Sequence, residues 1–160
     1  MWEFRWVSTG DVEAAPLLAD LLAEYGSRYP AYVNAEMSGY PASDFAPPDG
    51  GFLMLLEDGA SVAGGGFRRY DGDTAELKRI WTAATHRRRG LARRVLAELE
   101  RAAATRGYTR LYLTTGPRQP EACALYLSSG YTPLFDVHAD PESIGPLPFE
   151  KAVGAGRPDT

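Results

Sequence analysis

The spacing of hydrophobic and polar residues changes along the chain, and each change marks a new element. Residues 2–7 alternate with a period of two, which predicts a strand. Leucines three and four apart then predict a helix that Asp11 caps and that ends near residue 29. Prolines and glycines interrupt the pattern between residues 30 and 51, so we expect a loop-rich flap there, with a short helix near 34–38.

A group of three strands follows the flap. Two Asp-Gly dipeptides separate the apolar runs, and this dipeptide is typical of tight hairpins. Three consecutive glycines, Gly64 to Gly66, lie inside the middle run and predict a β-bulge or a close backbone approach. The three strands are predicted at 52–57, 61–70 and 74–82. Because hairpins connect them, the three strands are predicted to be antiparallel.

Helical and strand patterns alternate in the second half of the chain. Helices are predicted at 90–105 and 120–129, and strands at 110–115, 131–137 and 147–153. The helix at 90–105 is long enough for a crossover, so the strands on either side of it are predicted to lie parallel. The pattern predicts one domain over residues 1–160, with a core at about 2–153 and a flexible tail at 154–160. The predicted fold class is α/β (α+β), a mixed, mostly antiparallel sheet of about seven strands flanked by about four helices.

Composition narrows the class of protein. The 160 residues are 44% hydrophobic and 24% charged, which is typical of a folded domain and excludes intrinsic disorder. A single cysteine, Cys123, excludes an internal disulfide and a multi-cysteine metal centre, and two histidines offer little for zinc, so no metal is expected. The sequence shows neither a signal peptide nor a membrane-spanning run, so we expect a cytoplasmic protein that does not insert into membranes.

The net charge of −4 conceals an uneven distribution of charged residues. Residues 78–118 hold 11 Lys or Arg and only two acidic residues, a local charge of +9, while the rest of the chain carries −13. A basic segment within an acidic chain indicates an anionic ligand at one place, and the acidic remainder favours a cationic ligand elsewhere. The overall acidity argues against a nucleic-acid-binding protein.

The basic segment contains a candidate anion site between a strand and a helix. Residues 87–92 read Arg-Arg-Arg-Gly-Leu-Ala, and the predicted helix begins at Gly90. Helix N-termini attract anions through unpaired amides and the helix dipole, and the small Gly90 and Ala92 leave room for a phosphate. The sequence contains neither Gly-x-x-x-x-Gly-Lys-[Ser/Thr] nor Gly-x-Gly-x-x-Gly, so two common nucleotide-binding motifs are excluded.

Two motifs resemble those of the GNAT acyltransferase superfamily. The first is Arg-x-x-Gly-x-Ala at residues 87–92, which is similar to the family's pyrophosphate-binding loop. The second, Gln119 to Tyr131, reads Gln-x-x-Ala-x-x-Leu-Tyr-x-x-x-Gly-Tyr and is similar to a signature that follows the loop helix by one strand. Gln119 stands where the family usually has Asn, and Ala84 replaces a common proline. The resemblance covers residues 75–133 in motif and 2–153 in layout.

The resemblance implies roles for individual residues. In the family, the strand before the loop pairs with the pantetheine arm of coenzyme A, and the loop amides hold its pyrophosphate. Tyr126 matches the tyrosine that protonates the departing CoA thiolate, and Glu76, eleven residues before Arg87, lies at the offset of a general base. The implied cofactor-binding residues are Ile80, Trp81, Thr82, Arg87, Arg88, Arg89, Gly90, Leu91, Ala92 and Gln119.

The resemblance therefore implies an enzyme. Such an N-acetyltransferase would move the acetyl group of acetyl-CoA to a primary amine of a small molecule or a peptide, and members of the family often form homodimers. Two other classes stay open at this point. One is a non-catalytic CoA-binding regulatory domain of the same fold, and the other is a nucleic-acid-binding module that uses the arginine run.

Each candidate residue also has a structural interpretation. The arginine run is equally typical of a solvated basic turn. Tyr126 fits the apolar face of a helix, and Glu76 is placed to pair with Lys78 or Arg79 across a strand. Cys123 is expected to be a small buried residue and not an acyl carrier. A carboxylate base is nevertheless chemically reasonable, because an alkylamine is mostly protonated at pH 7 and attacks a thioester only after losing a proton.

Overall fold

The structure is a computed structural model that describes residues 1–28 and 41–154 of the chain. The predicted short helix near 34–38 and most of the predicted flap lie outside the described residues. The described end of the flap contains one 3₁₀ turn, Ala42–Phe45, which buries the Phe45 ring. The last residues of the predicted tail, 155–160, also lie outside the description.

Seven strands form one sheet. Their bounds are Trp2–Val7 (β1), Gly51–Glu57 (β2), Ala60–Arg69 (β3), Thr74–Thr82 (β4), Arg110–Thr115 (β5), Thr132–Pro133 (β6) and Leu147–Ala152 (β7). The order across the sheet is β1-β2-β3-β4-β5-β7-β6. Only β4 and β5 are parallel, and every other neighbouring pair is antiparallel. The predicted mixed, mostly antiparallel sheet is confirmed.

Three α-helices flank the sheet in the described part of the chain. They are Ala15–Arg28 (α1), Leu91–Thr105 (α2) and Pro120–Ser128 (α3). The α2 helix connects β4 to β5 and so makes these strands parallel, as the crossover argument predicts. The three long predicted helices are confirmed, and the fourth falls on residues that the structure does not describe.

The start of α1 differs from the prediction. Asp11 was expected to cap this helix, but its carboxylate accepts a hydrogen bond from the amide of Ser8 at 3.0 Å. A 3₁₀ turn, Val12–Ala14, then leads into α1, and the Asp11 side chain caps neither segment. The Asp11 side chain therefore stabilises the turn that precedes the helix.

The strand predicted at 131–137 is wrong in length. Only Thr132–Pro133 pair with β7, because the chain turns soon afterwards. The Asp136 carboxylate accepts a hydrogen bond from the amide of His138 at 2.9 Å and stabilises that turn. The alternation of apolar residues in this stretch therefore reflects intermittent burial in an irregular segment, not strand pairing.

The two faces of the sheet carry separate hydrophobic clusters, since successive strand residues point to opposite sides. One cluster includes Leu53, Leu55, Phe67, Ala75 and Leu77 and packs on α2 and α3. The other includes Phe52, Met54, Leu56 and Trp81 and packs on α1 and the turn at Phe45. We call the two sides the α2 face and the α1 face. Two consecutive residues of one strand therefore lie on different sides of the sheet.

β4 contains the irregularity that the three glycines predict. The register between β3 and β4 shifts between Gly64 and Gly66, so Arg79 and Ile80 both stand opposite Gly65. Arg79 has a φ of +62°, a left-handed conformation that costs a residue with a side chain about 1 to 2 kcal/mol. A Cβ on Gly65 would lie 2.5 Å from Cδ1 of Ile80 and 3.3 Å from its Cα, so a larger residue there would require the Ile80 side chain to move. The predicted bulge is confirmed, and it bends β4 beside the site described next.

Candidate active site

A cleft opens in the sheet between β4 and β5. The two strands pair from Thr74 to Glu76 on β4, and the pairing ends opposite Tyr112. β4 continues to Thr82, and no strand of the described residues pairs with that continuation on its β5 side. Unpaired strand edges bind extended ligands as an added strand would bind. The predicted pantetheine-binding stretch, 80–82, lies on this edge.

The arginine-rich loop lies where β4 leads into α2. Arg87 to Gly90 are exposed, whereas Leu91 is buried and anchors the start of the helix in the α2-face cluster. Arg88 and Gly90 have φ values of +65° and +75°, so the chain turns twice through the left-handed region before the helix begins. A Cβ on Gly90 would meet no atom within 4 Å, so the residue serves the backbone conformation and leaves open space above it.

The first turn of α2 offers free amide donors. The first four amides of a helix have no acceptor within the helix. Among the described residues, no backbone carbonyl accepts a hydrogen bond from the amides of 90–93, and the next amide, of Arg94, donates to the carbonyl of Gly90 at 3.2 Å. These donors, the helix dipole and the exposed arginines of the loop supply the hydrogen-bond donors and positive charge that an anion needs, and the predicted pyrophosphate contact stays a prediction.

Several other basic residues of segment 78–118 have partners within the protein. The contacts are Arg93 with Ser128, Arg94 with the rings of Trp2 and Phe4, Arg101 with Glu98, Arg106 with the Gly50 carbonyl, and Arg110 with Glu150. Much of the local +9 charge therefore stabilises the fold. The arginines of the loop, 87–89, are exposed, and Nε of Arg87 donates to the carbonyl of Thr82 at 3.5 Å.

Glu76 lies on the α1 face, where β4 and β5 separate. Its side chain is 8% exposed, and Oε1 accepts a hydrogen bond from Nη1 of Arg68 at 2.9 Å. The structural interpretation of Glu76 was an ion pair with Lys78 or Arg79, whereas the structure pairs Glu76 with Arg68, the residue directly opposite it on β3. The register of the predicted hairpin was the signal that could have identified this partner. The role of Glu76 as a general base stays a prediction.

Two tyrosines form a wall beside Glu76. The rings of Tyr70 and Tyr112 stack with centroids 4.7 Å apart and an interplanar angle of 29°. Tyr70 is 51% exposed, so the wall borders solvent on the α1 face. Burial raises the pKa of Tyr112, and Tyr70 and Glu76 raise it further while Lys78 lowers it. The Tyr112 phenol therefore stays protonated at neutral pH and contributes a neutral surface to the site.

Tyr126 lies on the α2 face, on the opposite side of the sheet from Glu76. The side chain belongs to the α2-face cluster, and the residue is 6% exposed. Its ring centroid lies 5.7 Å from those of both Tyr131 and Phe149. This packing bears out the structural interpretation of Tyr126 and fixes the direction of its ring. Its role as a general acid stays a prediction.

A partly buried polar network fixes the end of α3, the helix that carries Tyr126. The hydroxyl of Tyr131 donates to Oε2 of Glu100 at 2.8 Å, and Lys151 donates to Oε1 of the same carboxylate at 3.2 Å. Lys151 also donates to the carbonyl of Ser129 at 3.0 Å. Burial, together with the charge of Glu100, raises the pKa of Tyr131 far above its usual value, so this phenol remains a donor. Sequence reasoning missed the network because its members come from separate elements.

Gln119 has a structural contact at the turn between β5 and α3. Its Oε1 accepts a hydrogen bond from the amide of Gly116 at 3.1 Å, and the side chain does not cap α3. An amide at this position thus closes the turn in the way that Asn, the usual residue of the motif, is also able to do. The predicted contact of Gln119 with the cofactor stays a prediction.

Cys123 is expected to play no covalent part in catalysis. The residue lies on α3 and packs against the α2-face cluster, and burial raises the pKa of its thiol. A neutral thiol is a poor nucleophile, so Cys123→Ala is expected to keep kcat within about 2-fold of the wild type. Intact-mass measurement of the protein after incubation with acetyl-CoA, without an amine, is expected to show no acetyl-cysteine. A stable acetyl adduct that disappears in Cys123→Ala would contradict this prediction.

The helices and the potential metal ligands of residues 1–28 and 41–154 bear on other functions. No helix among them is long and apolar enough to span a membrane. Within these ranges, no group of three or more His, Cys, Asp or Glu side chains is placed to hold a metal ion. His86 instead contacts Glu57, with 2.7 Å between Nε2 and Oε1.

Comparison with known proteins identifies the family. The profile of the acetyltransferase (GNAT) family matches residues 16–131, which is more than half of the chain. The chain belongs to the GNAT family. The matched range begins in α1 and includes the cleft, the arginine-rich loop and the whole of α3. The resemblance in the two sequence motifs is thus confirmed at the level of the family.

Individual relatives agree with this assignment. The chain is 30% identical over 132 residues to the IAA acetyltransferase of Azospirillum brasilense, covering 80% of this chain and 84% of that protein. It is 37% identical over 93 residues to the uncharacterized N-acetyltransferase YsnE of Bacillus subtilis, covering 54% of this chain but only 62% of that protein. The PaiA N-acetyltransferase of Thermoplasma acidophilum, solved in complex with coenzyme A, superposes with a TM-score of 0.73 at 16% identity, covering 95% of this chain and 99% of that one. The last comparison supports the fold alone.

Proposed function

We propose that the protein is an acetyl-CoA-dependent N-acetyltransferase that acts on a primary amine of a small molecule or a peptide. Membership of the GNAT family supports acyl transfer. The observation that carries the proposal is the end of the β4–β5 pairing at Glu76 and Tyr112, which opens a cleft beside the free amides of α2. A carboxylate, an unpaired strand edge and an anion site thus lie along one path.

The residues of the cleft fit coenzyme A in chemical terms. The amides of 90–93 and the arginines of 87–89 would hold the pyrophosphate, which needs donors and positive charge. The strand edge at 80–82 offers backbone groups to the two amides of the pantetheine arm. When bound, acetyl-CoA supplies an activated thioester. The relatives named as acetyltransferases support acetyl as the transferred group.

The positions of Glu76 and Tyr126 suggest from which side of the sheet the amine and the sulfur approach each residue. Glu76 lies on the α1 face and Tyr126 on the α2 face, and the cleft between β4 and β5 joins the two sides. In the proposed mechanism an ammonium group reaches Glu76 and gives up a proton to the carboxylate, directly or through a water. The amine nitrogen attacks the thioester carbon, the C–S bond breaks, and the sulfur takes a proton from Tyr126. The acylated nitrogen then loses its second proton, which returns to the Tyr126 phenolate through water, and Glu76 releases the first proton to solvent.

The β4 bulge would serve the intermediate. Attack on the thioester forms a tetrahedral oxyanion, which backbone amides stabilise when they point at it before the reaction begins. Arg79 and Ile80 stand outside the regular β3–β4 register, so the backbone at the bulge is available to a ligand in the cleft. This assignment gives the strained φ of Arg79 a function.

The local charges do not favour a cationic acceptor. Among the described residues, Arg68, Lys78 and Arg79 accompany Asp44 and Glu76 on or near the α1 face, so both signs are present. The expectation of a cationic acceptor rested on the net negative charge of the chain outside residues 78–118. The side chains around Glu76 carry charges of both signs and do not share that negative excess. We therefore propose primary amines as a class and do not restrict their other charges.

Ligand-induced stabilisation tests the cofactor. Because a ligand that binds only the folded state raises its stability, acetyl-CoA at about 100 times its Kd is expected to add about 2.7 kcal/mol. Thermal unfolding with acetyl-CoA and CoA is expected to show a raised midpoint, and ATP at the same concentration is expected to have no comparable effect. Equal midpoints with and without acetyl-CoA would overturn the proposal.

A panel of primary amines separates an enzyme from a CoA-binding regulatory domain. Free thiol is measured after incubation of the protein, acetyl-CoA and each amine. An enzyme is expected to release thiol only with accepted amines, whereas a regulatory domain would show thermal stabilisation by acetyl-CoA without thiol release. Stabilisation by nucleic acid in the same buffers would favour the third class.

Tyr126→Phe is expected to lower kcat about 10-fold to 100-fold while the Kd of acetyl-CoA stays unchanged, since only the hydroxyl is lost. The control is Tyr108→Phe, because Tyr108 is also buried and its hydroxyl donates to the Asp49 carbonyl at 2.6 Å. The control is expected to lose stability but to keep kcat. Wild-type turnover in Tyr126→Phe would remove Tyr126 from the reaction and leave its packing role.

A further inference from the structure

Three charged side chains form a continuous cluster on the α1 face. Nη1 of Arg68 donates to Oε1 of Glu76 at 2.9 Å, and Nε of Arg68 donates to Oδ2 of Asp44 at 3.0 Å. We call these three residues the Arg68 cluster. The cluster connects the turn at Ala42–Phe45, through β3, to the position on β4 where the cleft begins.

The strand register brings Arg68 and Glu76 together. The two residues are direct partners across β3 and β4, and side chains in that relation have Cβ atoms about 4.5 to 5.5 Å apart on one face. Their side chains are 23% and 8% exposed, so the pair lies in an environment where a lone charge is costly. The pair therefore holds the Glu76 side chain in a defined rotamer more firmly than a surface ion pair would.

Arg68 contacts only one oxygen of Glu76. Among the described residues, Oε2 of Glu76 accepts no hydrogen bond, while Oε1 is occupied by Arg68. One oxygen is thus fixed by the protein, and the other remains available to a proton donor in the cleft. This division is what a general base needs, because its geometry is set before the substrate arrives.

Asp44 in turn fixes Arg68. Burial disfavours the Arg68 charge, but hydrogen bonds to Asp44 and Glu76 outweigh that effect and raise the pKa of the guanidinium. Asp44 belongs to the 3₁₀ turn whose neighbour Phe45 is buried in the α1-face cluster. The turn before β2 and the side chain of Glu76 are therefore coupled through one guanidinium.

We propose that Arg68 is a positioning residue for acyl transfer. It holds the Glu76 carboxylate at the mouth of the cleft with one oxygen directed to the acceptor, and Asp44 holds Arg68. The inference rests on the proposed function, because it takes Glu76 as the group that receives the proton. Arg68 itself touches neither cofactor nor acceptor in this account.

The adjacent residue provides a matched control. Arg69 follows Arg68 on β3 and therefore points to the opposite side of the sheet. It also forms an ion pair with an aspartate, since Nη2 lies 3.1 Å from Oδ1 of Asp49, and its guanidinium lies over the ring of Tyr108. Arg69→Gln and Asp49→Asn thus repeat the same chemical changes away from Glu76.

A double-mutant cycle between Arg68 and Glu76 tests the proposal. The assay uses acetyl-CoA and the best primary amine of the panel, and gives kcat and the KM of acetyl-CoA. Arg68→Gln is expected to lower kcat about 10-fold to 100-fold with the KM of acetyl-CoA unchanged. In the Glu76→Gln background, the same change is expected to lower kcat by less than about 2-fold, because the residue acts through Glu76.

Two further variants keep the test decisive if Arg68→Gln folds poorly. Arg68→Lys keeps the charge but not the two-sided contact, so it is expected to recover part of the kcat lost in Arg68→Gln. Asp44→Asn is expected to lower kcat about 3-fold to 10-fold, a weaker effect because the contact with Glu76 survives. Arg69→Gln and Asp49→Asn are expected to keep the wild-type kcat, and thermal midpoints with acetyl-CoA show that each variant is folded.

The outcomes separate this proposal from the proposed function. A wild-type kcat in Arg68→Gln, or an equal loss from it in both backgrounds, would overturn the positioning role while the acetyltransferase proposal stands. Equal losses in Arg68→Gln and Arg69→Gln would also overturn it, because they would indicate a general effect on the sheet. A wild-type kcat in Glu76→Gln would remove the base of the proposed mechanism, and the positioning role with it.

Discussion

Replacement of Gly90 by valine is expected to weaken the binding of acetyl-CoA about 100-fold or more. Gly90 has a φ of +75°, and β-branched residues are strongly excluded from the left-handed region. Relief of about 1 to 2 kcal/mol of strain would turn the amides of 90–93 away from the ligand, with a loss of charge-assisted hydrogen bonds worth about 1.5 to 3 kcal/mol each. The valine side chain would also enter the open space above Gly90. Calorimetric titration with acetyl-CoA measures the change.

The opposite end of α2 supplies the control for this variant. Gly107 has a φ of +96°, and a Cβ there also meets no atom within 4 Å. Gly107→Val therefore introduces similar backbone strain into the same helix, away from the loop. It is expected to lower the thermal midpoint but to leave the Kd of acetyl-CoA within about 2-fold of the wild type. Equal losses of affinity in the two variants would contradict the assignment of the loop as the pyrophosphate site.

Glu76→Gln is expected to lower kcat about 100-fold to 10,000-fold with little change in the Kd of acetyl-CoA. Glutamine keeps the shape of the side chain but cannot accept the proton of the ammonium group, and general-base catalysis contributes a factor of this size. The loss is expected to be largest at low pH, where more of the amine is protonated, and to shrink as the pH approaches the pKa of the amine, near 10 for an alkylamine. Steady-state rates from about pH 6 to 10 test this dependence.

Glu98→Gln controls for the removal of a paired carboxylate. Glu98 lies on α2 and forms an ion pair with Arg101, so its replacement also breaks a contact with an arginine. Because it does not border the cleft, its kcat is expected to equal that of the wild type at every pH. A wild-type pH profile in Glu76→Gln would assign the base to another group.

The loop and the meander were predictable because local sequence determines them. The Asp-Gly turns set the antiparallel strands, and Asp58 and Gly59 have the positive φ values of a two-residue hairpin. The start of α2 after the glycine of the run 87–92 was predictable as well, since a helix N-terminus needs only a loop, a glycine and the following helix. The three glycines likewise predicted the bulge, because Gly65 allows the close approach of Ile80 seen there.

The contacts of charged residues were less predictable, because they depend on distances across the fold. The basic stretch indicated an anionic ligand at one place, but its composition did not show which arginines contact the protein instead. In the structure Arg93 contacts α3, Arg94 contacts β1, and Arg106 contacts the backbone before β2. Glu76 was assigned correctly to the strand that borders the cleft, but its partner on β3 required the register of the hairpin. The strand predicted at 131–137 failed because a turn at Asp136 interrupts it.

A single reaction mixture tests the central claim most directly. The protein is incubated with acetyl-CoA and the panel of primary amines, and free CoA thiol and acetylated amine are quantified in the same sample. We expect equal molar amounts of the two products with at least one amine. Glu76→Gln is expected to form both products only at the reduced rate given above. Firm binding of acetyl-CoA without either product would contradict the account, because the cleft would then hold the cofactor without transferring its acetyl group.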